Sequence, residues 1–423
     1  MLNNIEQPPI VLPKKIAGLK DEKTTLKNGI AFHTLSNSNQ DVVRLSVVFR
    51  AGSSMQQVAF SASTTANLLS EGTEKFSASE IAERMDFIGS YFDVSVDRDY
   101  CVITFCTLKK FLAQTMEIAE QLLTRATFGE EELRTYCHKR KQRIAIERSK
   151  VSFKARELFA SSLFGKEHPY GINSPGEKYD DLRQEDVKSF FKKHYCAENC
   201  FAVSSGDLDA ESIDLMSETL EKITRSEPVK DPVFPEINNT KSAFLEHEDA
   251  LQSAIRIGIP FHTRSHPDFI PMQVACTILG GYFGSRLVKK LREEKGFTYG
   301  VFSGMVNLEN TGYMAIATEV AVDATQESID IIFQQIELLR QEKVGEDELQ
   351  MVKNIVIGEI MRIMDGPFGV VDITIENLQN KTNNSYLDKF IEQINALTPE
   401  KILEITTKYW QKDNFTTVIV GKK

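Results

Sequence analysis

Hydrophobic and polar positions change rhythm several times along this chain. Alternation over 24–36 (TTLKNGIAFHTLS) and 42–51 predicts two strands, and the Asn28-Gly29 pair marks a turn. The apolar spacing then becomes helical near 57–71 and 78–89, where Ser77 and Glu80 can form a capping box. Alternation returns near 91–97 and 100–107. Helical patterns follow through the 110s, the 130s to 160s and the 180s, and a strand closes at 200–206 (CFAVSSG). The order then begins again. Strands are expected at 242–247 and 252–259, helices at 268–279 and 285–295, strands at 298–306 and 312–318, then helices and a last strand, FTTVIVG.

Short motifs repeat as well. FGEEEL occupies 128–133 and VGEDEL occupies 344–349, 216 residues later, each between amphipathic helical patterns. A duplicated unit of about 200 residues accounts for this, because the period is domain-sized rather than solenoid-sized. Strand pairs alternating with helix pairs predict an α+β fold: two homologous domains, each an antiparallel-rich sheet with helices packed on one face. The expected boundaries are 1–223 and 242–423. The linker, 224–241, carries three prolines, an Asn-Asn pair and mixed charges.

Composition adds exclusions. The 423 residues carry 50 Lys+Arg against 60 Asp+Glu, a net charge of −10, which argues against a broad nucleic-acid surface. No apolar run is long enough to span a bilayer, and the first residues lack a secretory h-region. A cytoplasmic protein is expected, or a periplasmic one if a signal segment has been removed. Six cysteines, at 101, 106, 137, 196, 200 and 276, form no CxxC pair, so free thiols are expected. His194, Cys196 and Cys200 lack an evident fourth ligand for a metal.

Three stretches carry candidate chemistry. ILGGYFGSRL (278–287) has Gly280, Gly281 and Gly284, but its spacing matches neither phosphate-loop pattern, so a glycine-rich break between helices is expected. His262 and His266 in FHTRSH are four apart, yet they fall between Pro260 and Pro267, which predicts a loop. In LREEKGFTYGVFSG (291–304), Gly296 ends a helix and Arg292 suits its last turn. A plain helix-to-strand corner fits. So does a pair, Arg292 and Tyr299, that holds a peptide carbonyl or a developing oxyanion.

LGGYFGSRLVKKLREEKGFTYGVFSG resembles the second-domain motif of the pitrilysin–insulinase zinc peptidases, the inverzincins, most of all their mitochondrial-processing-peptidase-like branch. LKNGIAF, VVFRAGS, EGT, HPYG and NCFAVSSGDLD agree along the rest of the chain. The family's catalytic chains carry HxxEH before the EGT-like landmark. Counting back from Gly72 puts those positions at Ser63, Ala66 and Asn67, and the distal Glu near Arg143, with Glu147 the nearest acid. None of the four is a family ligand or base. The resemblance thus implies no metal in this chain and zinc in a homologous, HxxEH-bearing partner of a heterodimer. Arg292 and Tyr299 would be donated in trans, with Gly280 and Gly281 at the substrate mouth and an extended or unfolded peptide as substrate. Alone, the chain would be inactive. A scaffold, or a peptide-binding homodimer of the same fold, is the alternative.

Overall fold

The computed structural model describes residue 13 and residues 19–36, 40–237 and 239–423. The chain forms two sheets. The first contains β1 (Glu22–Thr25), β2 (Ala31–Ser36), β3 (Val42–Phe49), β4 (Tyr91–Val96), β5 (Cys101–Leu108) and β6 (Cys200–Gly206), in the order β1-β2-β6-β3-β5-β4. The second contains β7 (Ser242–Glu246), β8 (Gln252–Phe261), β9 (Val301–Asn307), β10 (Gly312–Ala321) and β11 (Thr416–Gly421), in the order β7-β11-β8-β10-β9. Apart from β1, the two orders superimpose. In each sheet one pair is parallel, β2 with β6 and β7 with β11, and the others are antiparallel. The expected α+β duplication is therefore present.

Local chemistry explains many boundaries. Asn28-Gly29 turns β1 into β2, with Gly29 at φ +96°, a conformation cheap only for glycine. Ser77 caps helix Ala78–Phe87 and Glu80 returns the bond to the Ser77 amide, so both halves of the capping box form. The repeated GEEEL and GEDEL motifs start equivalent helices, Glu130–Arg148 and Glu346–Ile363. Gly129 and Gly345 are at the N-caps, and three acids sit in each first turn, where the helix dipole favours them. The continuous helical pattern of the 130s to 160s breaks at Ser149 and Lys150 into Glu130–Arg148 and Val151–Phe164. The helix expected over 57–71 is shorter, Ser61–Asn67 plus a 3-10 turn at Leu69–Glu71. Phe60 precedes it in the left-handed region at φ 67°, where its ring stacks on Tyr179 at 4.0 Å.

Each sheet buries one face under its own helices, giving two separate apolar cores. The other faces exchange helices. Val151–Phe164 of the first half packs on β8 and β11, and Pro367–Gln379 of the second half packs on β6 and β3. Leu35, Val48 and Val203 meet Val370, Val371 and Ile375 in one joint cluster, and Phe159, Leu163 and Phe164 meet Val418 in another. A polar hub joins the halves at the β4–β5 turn. Asp99 accepts from the Tyr170 hydroxyl (2.7 Å), the Glu309 amide (2.9 Å) and the Ser54 hydroxyl (3.2 Å). Arg50 pairs with Glu309 at 2.7 Å and with Asp231. Residues 225–237 and 239–241 carry no helix or strand. All six cysteines are free thiols. No described helix is long and apolar enough to cross a membrane.

Candidate functional site: helix Ser61–Asn67 and an exposed arginine-tyrosine corner

The metal positions of the resemblance fall on helix Ser61–Asn67. Ser63 donates its hydroxyl to the Phe60 carbonyl (3.3 Å), and the Asn67 amide nitrogen donates to the Ser63 carbonyl (2.7 Å). Ala66 is 1% exposed and belongs to the first core. Arg143 sits on helix Glu130–Arg148 and pairs with Glu147 at 3.1 Å, an i,i+4 bridge on an open face. A hydroxyl, a methyl, an amide tied to backbone and a cation offer no imidazole or carboxylate set for zinc, so the residues do not fit that ion. Among the described residues, no cluster of three or more His, Cys, Asp or Glu could hold a metal.

Ser63 and Glu147 open on a cavity of about 770 Å³. Aromatic rings, Phe60, Phe153, Tyr170 and Tyr179 among them, make much of its wall, and Leu308 and Tyr313 come from the second half. Arg98 reaches it from the β4–β5 turn, and Arg140 and Arg156 from helices Glu130–Arg148 and Val151–Phe164. Burial works against the Arg98 charge, and despite help from the nearby Tyr313 and Asp99, with Arg156 repelling it, the Arg98 pKa is lowered. Burial, then the Asp99 charge, raises that of the Tyr170 phenol, which stays a hydrogen-bond donor. Periodicity gave no sign of this arginine set, because its members are distant in sequence.

The second candidate lies between the second half's first helix and β9. Helix Phe269–Cys276 continues as a π-wound turn, Thr277–Gly281, and the helix after the glycine break is π-wound over Val288–Glu294. Such windings recur at functional sites. Gly280 is buried, and a Cβ there would lie 2.8 Å from that of Ser303, so only glycine lets the turn close on β9. Gly281 is half-buried, with Thr277 3.2 Å from where its Cβ would be. The π helix ends at Gly296 (φ +65°), and the Phe297 amide donates back to the Leu291 carbonyl at 2.9 Å. Thr318 donates to Thr298 (3.0 Å) and the Gly300 amide donates to the same Thr298 hydroxyl (3.1 Å), pinning the bend before β9.

That bend leaves Tyr299 94% exposed. Arg292 is exposed too, with its guanidinium 4.8 Å from the Phe283 ring centroid and no ion pair among the described residues. Phe283 and Phe302, nearby in the motif, are also largely exposed. Neither Arg292 nor Tyr299 lines the cavity at Ser63. Within one chain, then, Ser63 of helix Ser61–Asn67 and Tyr299 of the corner line different cavities. His262 and His266 lie in the loop after β8, their rings stacked at 3.9 Å, with His266 Nδ1 accepting from the Asp268 amide (3.1 Å).

Comparison with known proteins matches both halves of the chain. Residues 32–167 match the model described as insulinase (peptidase family M16), and residues 181–356 match the model of the peptidase M16 inactive domain. An uncharacterized zinc protease, YmxG of Bacillus subtilis, is 21% identical over 354 residues, 81% of this chain and 84% of that protein. A protein named non-peptidase homolog YmxG in Helicobacter pylori is 21% identical over 372 residues, 85% of this chain and 83% of that one. The crystal structure of a peptidase M16 inactive domain from Pseudomonas fluorescens superimposes with a TM-score of 0.89 at 20% identity, covering 95% of this chain and 98% of that one. With both of its halves matched by models of one family and its fold shared with a solved member, the chain belongs to the M16, or pitrilysin–insulinase, peptidase family and lacks that family's HxxEH motif.

Proposed function

We propose that this chain is the zinc-less subunit of a two-subunit metallopeptidase and that Arg292 and Tyr299 act in trans at the zinc site of an HxxEH-bearing partner. The observation that carries this reading is the solvent exposure of both groups on a corner whose backbone is otherwise tightly held. A phenol that is 94% exposed contributes little to this chain's own fold. Placed against another subunit, it has a use.

The partner's metal would polarise the scissile carbonyl and activate water. Tyr299 would donate its hydroxyl proton to the oxygen that gains charge as the carbonyl becomes tetrahedral. Arg292, held over Phe283, would clamp a neighbouring substrate carbonyl. Gly280 would serve the site by seating the motif on β9, and Gly281 would leave room at the mouth. The substrate would be an extended or unfolded peptide, laid along a sheet edge such as β4 or β9. In this reading the two domains are 1–223 and 242–423, joined by 224–241.

Mutation of the donor tests it. In a mixture with an HxxEH-bearing relative from the same organism, Tyr299→Phe should lower the cleavage rate by about 10²–10³, the usual cost of one such donor. Sedimentation should show the complex intact. A mutant complex that assembles and cleaves at the wild-type rate would remove Tyr299 from the site.

A further inference from the structure

We propose that the 770 Å³ cavity beside Ser63 is a binding site for a carboxylate of a peptide, held by Arg98, Arg140 and Arg156 where an active relative would place its metal chemistry. This goes beyond the donated half-site and needs no partner subunit. It shares with that reading only the class of ligand.

The charge balance carries the argument. Three carboxylates also line the cavity, and each is engaged. Glu147 pairs with Arg143 at 3.1 Å, and Glu157 accepts from Arg148 at 2.8 and 3.2 Å. Asp97 accepts from the Asp99 and Tyr100 amides, both at 2.7 Å. Neither Arg143 nor Arg148 lines the cavity. The three arginines that do line it have no ion pair among the described residues. Arg98 donates to the Pro169 carbonyl at a long 3.4 Å, Arg140 bonds the neutral Tyr179 phenol while its Nε is buried without a hydrogen-bond partner, and Arg156 lies over the Phe153 ring. Asp99 and Glu147 act on Arg98 and Arg140 through space only, so three guanidiniums share one cavity with no carboxylate bonded directly to any of them among the described residues.

Shape and chemistry then select the ligand. Guanidinium planes match a carboxylate with two parallel N–H bonds, a geometry that a lysine cluster would not offer. The aromatic walls suit apolar side chains next to that carboxylate. Position selects a peptide. Val96, the last residue of edge strand β4, also lines the cavity, so an extended chain paired along β4 reaches its mouth. The carboxylate can be a chain terminus or an acidic side chain.

The test is fluorescence anisotropy on the full chain alone, with three labelled probes. One is Gly-Ser-Gly-Ala-Leu-Phe with a free carboxyl end. The second is its C-terminal amide. The third is the amide with Glu replacing Ala. At least one carboxylate-bearing probe should bind about tenfold or more tighter than the neutral amide, as expected for a charge-assisted bond. Arg140→Gln and Arg156→Gln should each abolish that difference, and Arg156→Lys should restore part of it. Arg156 is exposed, so its variants should keep the wild-type circular dichroism and Tm even if Arg140→Gln does not. Preference for the first probe assigns the terminus as the source, and preference for the third assigns the side chain. Equal affinity for all three probes, no binding to any, or unchanged binding in folded Arg156→Gln would overturn the proposal. None of these outcomes depends on whether a partner subunit exists.

Discussion

Helix Ser61–Asn67 and the corner at 288–300 use their side chains in opposite ways. On the helix, side chains are absorbed by the fold. Ser63 bonds Phe60, Asn67 bonds Ser63 and Ala66 is in the core. At the corner, the backbone is fixed by Gly296, Thr298 and Thr318, while Arg292 and Tyr299 stand free of the core. Fold and chemistry are therefore separable here. In the first half, Ser63 and Asn67 are tied to nearby backbone. The second half kept residues that local stability does not require.

The largest effect that sharpens this contrast is the Tyr299→Phe loss of about 10²–10³ in cleavage by a mixed complex. The same change should leave the Tm of the isolated chain unaltered, because the phenol is 94% exposed. A fall in Tm would make Tyr299 a structural residue and erase the difference between the regions.

Next is the hub between the halves. Asp99 is 3% exposed and takes bonds from Tyr170, Ser54 and the Glu309 amide. Asp99→Ala should cost about 3 kcal/mol in urea unfolding, since buried donors lose their acceptor. A midpoint shift too small to measure would mean that the exchanged helices and the Arg50–Glu309 pair hold the halves without Asp99.

Gly280→Ala should cost less, about 2 kcal/mol, because the new methyl must enter a gap of 2.8 Å to the Ser303 Cβ. Unchanged stability would mean that β9 yields at that point, and the glycine would then belong to mouth flexibility rather than packing.

The last effect is absent at neutral pH and grows only in acid. His194 is buried, and burial, followed by the nearby Lys193, pushes its pKa from 6.5 down to about 4. The unfolded chain therefore takes up the proton first. Above pH 6.5 the imidazole is neutral in both states and contributes no slope. As pH falls from about 6.5 to about 4, stability is lost. Unfolding of His194→Phe followed across that window should show a shallower acid decline than wild type. An equally steep decline would assign the acid sensitivity to other groups.

Much of the fold was legible because it rests on local chemistry. Asn28-Gly29, the Ser77/Glu80 box and the repeated GEEEL and GEDEL starts each act over a few residues, and each appears in place. The duplicated sheets were legible from the order of alternation. Exchange of Val151–Phe164 and Pro367–Gln379 between sheets was not, because a period of 3.6 shows that a helix has an apolar face without naming what covers it. Nor were the π windings at Thr277–Gly281 and Val288–Glu294, which look like ordinary helix in sequence. At the site, the sequence shows that the chain has no HxxEH, while the placing of those positions at Ser63, Ala66 and Asn67 rests on the resemblance. The arginines of the adjacent cavity could not be read, since a turn and two helices bring them together.

The central claim is that this chain completes an active site it cannot form alone. The most direct measurement is cleavage of a quenched, unstructured peptide by this chain alone, by an HxxEH-bearing relative alone, and by the two mixed. The account predicts cleavage well above either component only in the mixture. A mixture no faster than the relative alone would contradict it and leave Arg292 and Tyr299 as residues of a structural corner.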